Sequence, residues 1–142
     1  MIVYADTSFL LSLYISDANS LAAAKTMSRF VTPLLTTDFG EFEFTNALSW
    51  RVFRKLLLAG EQQAVLDSFS KDVEAGIVRI IPIPAAAFAR AGQIARTQTP
   101  VLGNRALDVL HVASALVLRA DTLFTFDSKQ AKLASALGLS VL

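Results

Sequence analysis

The sequence predicts an α/β protein: three layers, with a mostly parallel central sheet of four to five strands flanked by helices. Two observations carry this. Short runs rich in β-branched and aromatic residues (IVYA, LLTT, IVRIIPI, TLFTF and LSVL) are separated by stretches with apolar residues at helical spacing. Strands alternating with helices in this way imply right-handed crossovers and a sheet covered on both faces. At 142 residues the chain is near the commonest single-domain size, so one domain spanning 1–142 is expected.

The elements follow in order. Ile2 to Ala5 reads as a buried strand closed by Asp6 and Thr7, and Ser8 to Ile15 carries leucines at helical spacing. A second helix fills Ala18 to Phe30, and Pro33 stops it. LLTT is a short strand. Asp38 is expected to cap a long helix to about Leu58, which Gly60 ends. Glu61 to Ala75 is a further helix closed by Gly76, and Pro82 in IVRIIPI, with Pro84 just after it, confines that strand to an edge or its end. Pro84 suits the first turn of a helix to about Gln98. TPVLGN reads as a loop, with Asn104 capping a strongly apolar helix from Arg105 to Ala120. TLFTF, a helix from Ser128 to Leu137 stopped by Gly138, and LSVL complete the chain.

Composition narrows the chemistry. The apolar fraction is 54%, above the roughly 45 to 50% usual for soluble domains, and the mean hydropathy is +0.50. Such a surface calls for an oligomer, a homodimer being expected, or for a tight partner. Cysteine is absent and His111 is the only histidine, which excludes disulfides, thiolate sites and multi-histidine zinc sites. Any metal must be held mainly by oxygen. A net charge of +1 leaves no nucleic-acid footprint by itself. No apolar run approaches the ~18 residues of a membrane span and no signal pattern opens the chain, so a cytoplasmic protein with no membrane role is expected.

In an open parallel sheet, ligands bind beyond the carboxyl ends of the strands. Asp6 and Asp127 sit at such ends, Glu41 and Glu43 lie in the first turns after LLTT, and Asp108 lies in the first turn of the apolar helix. One rim therefore collects acids from four segments. Each aspartate alone is equally well explained as a helix cap, worth about 0.3 to 1 kcal/mol. Asp108 is harder to dismiss, because LDVLHVASALVL is otherwise nearly free of charge and a buried carboxylate is costly unless paired. Clustered carboxylates with hard oxygen donors select Mg²⁺ or Mn²⁺. Such ions activate water for attack on phosphorus, which points to phosphodiester hydrolysis.

These residues also match a family. ADTS at the start, EFTNAL in the long helix, LDVLHVASAL in the apolar helix and DTLFTFD near the end give a chain that resembles PIN-domain ribonucleases, in particular the VapC-type toxins of prokaryotic toxin-antitoxin pairs. The motifs span nearly the whole chain in the family's order. The resemblance implies a PIN-like fold with Asp6, Glu43, Asp108 and Asp127 as catalytic metal-binding acids; the family spacing before NAL selects Glu43 over Glu41. It makes Thr7, Ser8, Asn46 and Thr125 supporting polar groups. It further implies a Mg²⁺- or Mn²⁺-dependent endoribonuclease acting on a structured RNA such as tRNA and restrained by a cognate antitoxin. One departure is that TQTPVLGNRA lacks the aromatic often found before the third aspartate.

Other residues take lesser roles. With four of the 12 acids set aside for a metal, 13 basic residues face eight acidic ones, a surface compatible with RNA. Arg51, Arg54 and Lys55 cluster on the long helix, and Arg105 opens the helix bearing Asp108, close to where a phosphate backbone would run. His111 stands one turn after Asp108 and reads as a satisfied core residue rather than a proton shuttle. Phe39, Phe42, Phe44, Trp50 and Phe53 give the long helix more than one apolar face, suited to thicker core packing, an antitoxin helix or a second copy. Two rival functions exist. An aspartate-based phosphatase of the haloacid dehalogenase type needs an acid two residues after its nucleophile, where this chain has Ser8. A non-catalytic interaction module has no need of four acids.

Overall fold

The computed structural model describes residues 1–31 and 33–142. Five strands form one parallel sheet in the order β3-β2-β1-β4-β5: β1 (Val3–Ala5), β2 (Leu34–Thr37), β3 (Val78–Ile81), β4 (Thr122–Phe124) and β5 (Ser140–Val141). The helices are α1 (Thr7–Tyr14), α2 (Ser20–Met27), α3 (Asp38–Phe53), α4 (Ala59–Glu74), α5 (Ala85–Leu102), α6 (Ala106–Val117) and α7 (Ser128–Ala136). β3 lies at an edge, as expected, and Pro82 and Pro84 follow its end. Among the described residues no helix is long and apolar enough to cross a membrane.

Strand alternation divides the core in two. Val3 and Ala5 enter a cluster with Phe9, Phe44, Leu48 and Phe69 from α1, α3 and α4, while Tyr4 between them joins Ile94, Val112 and Leu133 from α5, α6 and α7. Phe9 lies against Phe124 and Phe126, with ring centroids 4.9 and 5.5 Å away. Burying each such side chain contributes about 1.5–3 kcal/mol. Strand order reverses between β1 and β4, the neighbours at the centre of the sheet, and a ligand crevice is expected where the two chains diverge beyond their carboxyl ends.

Five element boundaries differ most from the sequence reading. Thr37, not Asp38, caps α3: its hydroxyl accepts from Gly40 N at 3.1 Å, and Asp38 instead accepts from Ile83 N at 2.9 Å. α3 ends at Phe53 because Lys55 turns left-handed (φ 59°), a conformation no glycine there announces. Gly60 consequently lies inside α4, whose start is marked by Glu61 accepting from Leu58 N at 2.8 Å. α5 runs through Pro100 to Leu102 and closes at Gly103 (φ 66°), so most of TPVLGN is helix and not loop. Pro100 lacks the N–H that would bond the carbonyl four residues earlier, and the helix continues only two residues past it. Asn104 does not cap α6; Arg105 occupies that position without a side-chain bond. Asn104 is buried and donates to Lys129 O at 3.2 Å, tying the start of α6 to the start of α7.

Candidate active site

The end of β1 supplies the most enclosed acid. Asp6 is 2% exposed and caps α1, accepting from Phe9 N at 2.8 Å. The Ser8 hydroxyl bridges its two oxygens at 2.7 and 2.9 Å, and Thr125, just past β4, donates to Oδ2 at 2.5 Å. Burial raises the Asp6 pKa against the lowering pull of these donors. Thr125 Oγ1 also accepts from Asp127 N at 3.0 Å, and Ser8 Oγ accepts from Phe126 N at 2.9 Å. The two segments that diverge at the crevice are thus sewn together through hydroxyls.

Glu43, on α3 and half-buried, belongs to a second network. Its Oε1 accepts from the Thr7 hydroxyl and from His111 Nε2, the latter at 2.8 Å. On the far side of the imidazole, Nδ1 meets the Tyr4 hydroxyl at 3.0 Å. Burial alone would raise the Glu43 pKa, but the imidazole and the Thr7 hydroxyl hold it below the ordinary value. Glu41 lines a separate hollow with Phe69, Val73 and Ile80, so of the two glutamates only Glu43 joins the acids.

Asp108 and Asp127 form a more open wall. They line a cleft of about 400 Å³ together with Arg105, Phe126, Ser128 and Lys129. Asp127 caps α7, its Oδ1 accepting from Lys129 N at 2.8 Å and Gln130 N at 3.0 Å. Burial raises the pKa of half-buried Asp108, and the charges of Asp127 and Glu43 add to that, opposed by the Arg105 backbone and His111. Those couplings place Asp108, Asp127, Glu43 and His111 in one electrostatic neighbourhood.

The donor chemistry suits a hard dication, being carboxylate oxygen without competing thiolates. Burial is the main cause of the raised Asp6 and Asp108 values, with like charges adding to it at Asp108. Among the described residues, however, no three carboxylate or imidazole groups are close enough to enclose an ion as they stand; the acids line the rim as separate groups rather than as a closed cage.

Of the supporting residues, Thr7, Ser8 and Thr125 each bond a site carboxylate. Asn46 is exposed on α3 and bonds none of them. Arg51 lies eight residues beyond Glu43, about 12 Å along the helix, where it faces Tyr14, Asp17 and Glu61 instead of the acids. His111 is a satisfied buried residue, but its partner is Glu43, a link that sequence spacing did not reveal. Tyr4, Thr37 and Gly40 also escaped notice, as ordinary strand, cap and helix residues.

The PIN domain family model matches residues 3–136. VapC20 from Mycobacterium tuberculosis, a sarcin-ricin loop cleaving toxin, has a similar structure, with a TM-score of 0.72 and 16% identity over 94% of each chain. FitAcB from Neisseria gonorrhoeae gives a TM-score of 0.68 at 21% identity, covering 99% of this chain and 96% of that one. A Pyrobaculum aerophilum protein gives 0.58 at 16%, covering 99% and 89%. No curated protein sequence matches significantly. At these identities the solved structures show the fold, whereas the family model extends over nearly the whole sequence. The chain belongs to the PIN domain family.

Proposed function

We propose that this chain, acting as a single PIN domain, is a VapC-like toxin: a metal-dependent endoribonuclease that hydrolyses phosphodiester bonds of a structured RNA such as tRNA and is restrained by a cognate antitoxin. The observation that carries the proposal is the placement of Asp6, Glu43, Asp108 and Asp127, from four separate segments, along the carboxyl rim of a PIN fold, where Asp127 and Glu43 act on Asp108 and Thr125 links Asp6 to the Asp127 backbone. Burial raises the Asp108 pKa and the charges of Asp127 and Glu43 add to it, a cost that a dication would relieve. Asp6, Glu43, Asp108 and Asp127 would hold Mg²⁺ or Mn²⁺, which supplies an acidified water and charge stabilisation at the scissile phosphate.

The chain's own residues do the rest. Ser8 and Thr125 fix Asp6, and Thr7 fixes Glu43. Asn46 contributes through bound water or substrate. Arg105 and Lys129, on the cleft wall beside Asp108 and Asp127, pair with RNA phosphates and hold the backbone across the acids. That VapC20 is a sarcin-ricin loop cleaving toxin supports RNA as the substrate class. Phe42, Trp50 and Phe53, 70, 56 and 75% exposed, present the apolar surface that an antitoxin helix or a second copy would cover.

One observation favours the reading as a non-catalytic module: both Asp6 oxygens already accept hydrogen bonds from the chain itself. Incubation of structured RNAs with Mg²⁺ or Mn²⁺ separates the two. Cleavage by the wild type, with an Asp6→Asn loss on the order of 100- to 1,000-fold, is expected from the several kcal/mol a metal site supplies. Equal cleavage by both proteins, or none by either, overturns the nuclease assignment.

A further inference from the structure

The acid at α3 is held by a chain of hydrogen bonds reaching into the sheet. We infer that His111 is a positioning residue for Glu43: anchored by the Tyr4 hydroxyl, its imidazole fixes Oε1 and leaves Oε2 to the site. This rests on the reading of Glu43 as a site carboxylate.

The direction of each bond follows from the donors available. Glu43 is ionised and can only accept, so His111 Nε2 carries a proton and donates to Oε1 at 2.8 Å. Tyr4, fully buried, stays a phenol and meets Nδ1 at 3.0 Å. The Tyr4 oxygen is in turn 3.4 Å from the Thr37 hydroxyl, which also accepts from Gly40 N. The chain therefore begins at the cap of α3 and ends on a side chain of the same helix, crossing β1 and α6 on the way. Histidine joins these ends because its two nitrogens face opposite directions with a rigid ring between them.

Two further features fit a positioning role and not a filler role. Both bonds from Thr7 and His111 land on Oε1, and Oε2 accepts none among the described residues; a carboxylate tied by one oxygen presents the other in a set direction. The ring also occupies a site made to its shape. It packs on Phe39 with centroids 4.9 Å apart and edge-on to Tyr4 at 5.9 Å. A Cβ on Gly40 would collide with Thr36 Oγ1 while only reaching ordinary contact, 3.5 Å, with His111 Cε1, so glycine lets the start of α3 pass close to β2 beside the imidazole.

The test needs no RNA. Because His111 is the only histidine, ¹⁵N-histidine labelling of the full chain gives one imidazole to follow. In the metal-free protein we expect a slowly exchanging, downfield Nε2–H resonance that moves upfield in Glu43→Gln, with a separate Nδ1 change in Tyr4→Phe. No protected Nε2–H, or one indifferent to Glu43→Gln, overturns the inference. Mn²⁺ alone is then titrated calorimetrically. His111→Leu should weaken binding about 10- to 100-fold, as removal of partners of metal-binding residues does. His111→Gln, which keeps a donor near Nε2, should recover most of that. Tyr4→Phe keeps the ring and serves as the gentler probe should His111→Leu fail to fold, with weaker Mn²⁺ binding expected. Unchanged affinity in a folded His111→Leu or Tyr4→Phe overturns the inference. A wild type that binds no Mn²⁺ defeats the metal-dependent nuclease reading instead, and the imidazole resonance alone then decides the role of His111.

Discussion

The two walls of the site are built on opposite principles. Asp6 and Glu43 are clamped by the protein's own donors: Ser8, Thr125 and Phe9 N around one, Thr7 and His111 around the other. Asp108 and Asp127 face an open cleft beside Arg105 and Lys129, where burial raises the Asp108 pKa and Asp127 adds to it. The inner pair is oriented before any ligand arrives; in the outer pair Asp127 is held on one oxygen by Lys129 N and Gln130 N, whereas Asp108, raised by burial and by its acidic neighbours, carries a cost that a cation would relieve. Under the proposed metal-dependent reading, the held carboxylates of Asp6 and Glu43 would guide an ion to which Asp108 and Asp127 would then respond.

Variants can break this contrast. The largest effect is expected on the inner wall: Thr125→Val, nearly isosteric, removes the 2.5 Å bond to Asp6 and should cut RNA cleavage about 10- to 100-fold with little loss of fold. Parity with wild type would show that Asp6 needs no such clamp. Gly40→Ala comes next, since the new methyl collides with Thr36 Oγ1; thermal unfolding should show a cost of about 1–3 kcal/mol from overpacking, with reduced cleavage. An unaltered melting temperature would mean that α3 yields freely.

Effects on the outer wall are smaller. Arg105→Ala should raise KM for RNA up to about fivefold and leave kcat unchanged, as befits an exposed ionic contact of up to ~1 kcal/mol. A fall in kcat alone would contradict a role in holding substrate. The smallest shift is a gain. The folded-state pKa of Asp108 is raised, so its ionisation penalises the fold as pH rises through the ordinary carboxylate range, and the penalty vanishes below that range. Asp108→Asn should therefore melt slightly higher than wild type at pH 7 and equally at pH 3, without divalent ions. A stabilisation largest at low pH would reverse that sign.

The contrast also separates what the sequence reveals from what it hides. Asp6 and Asp127 were legible because strand-end aspartates followed by hydroxyl residues announce caps at a sheet's carboxyl rim, and Asp108 because it interrupts an apolar helix. The parallel sheet followed from alternating periodicities. The Tyr4–His111–Glu43 chain was not legible: its two bonds span 107 and 68 residues, and each member has an ordinary role in its own segment. The missed boundaries have local causes. Lys55 adopts the left-handed turn usually left to glycine, and Pro100 stands where a closing helix tolerates it. Gly60 and Asn104, which look like a stop and a cap, serve an early helical turn and a buried bridge to Lys129.

The central claim is that four acids from separate segments receive one dication. Anomalous scattering from crystals grown with Mn²⁺ tests it most directly. The account predicts a manganese peak bounded by Asp6, Glu43, Asp108 and Asp127, with Asp108 drawn toward Asp6. A well-ordered site with no peak there, or with manganese bound only elsewhere on the surface, would contradict it.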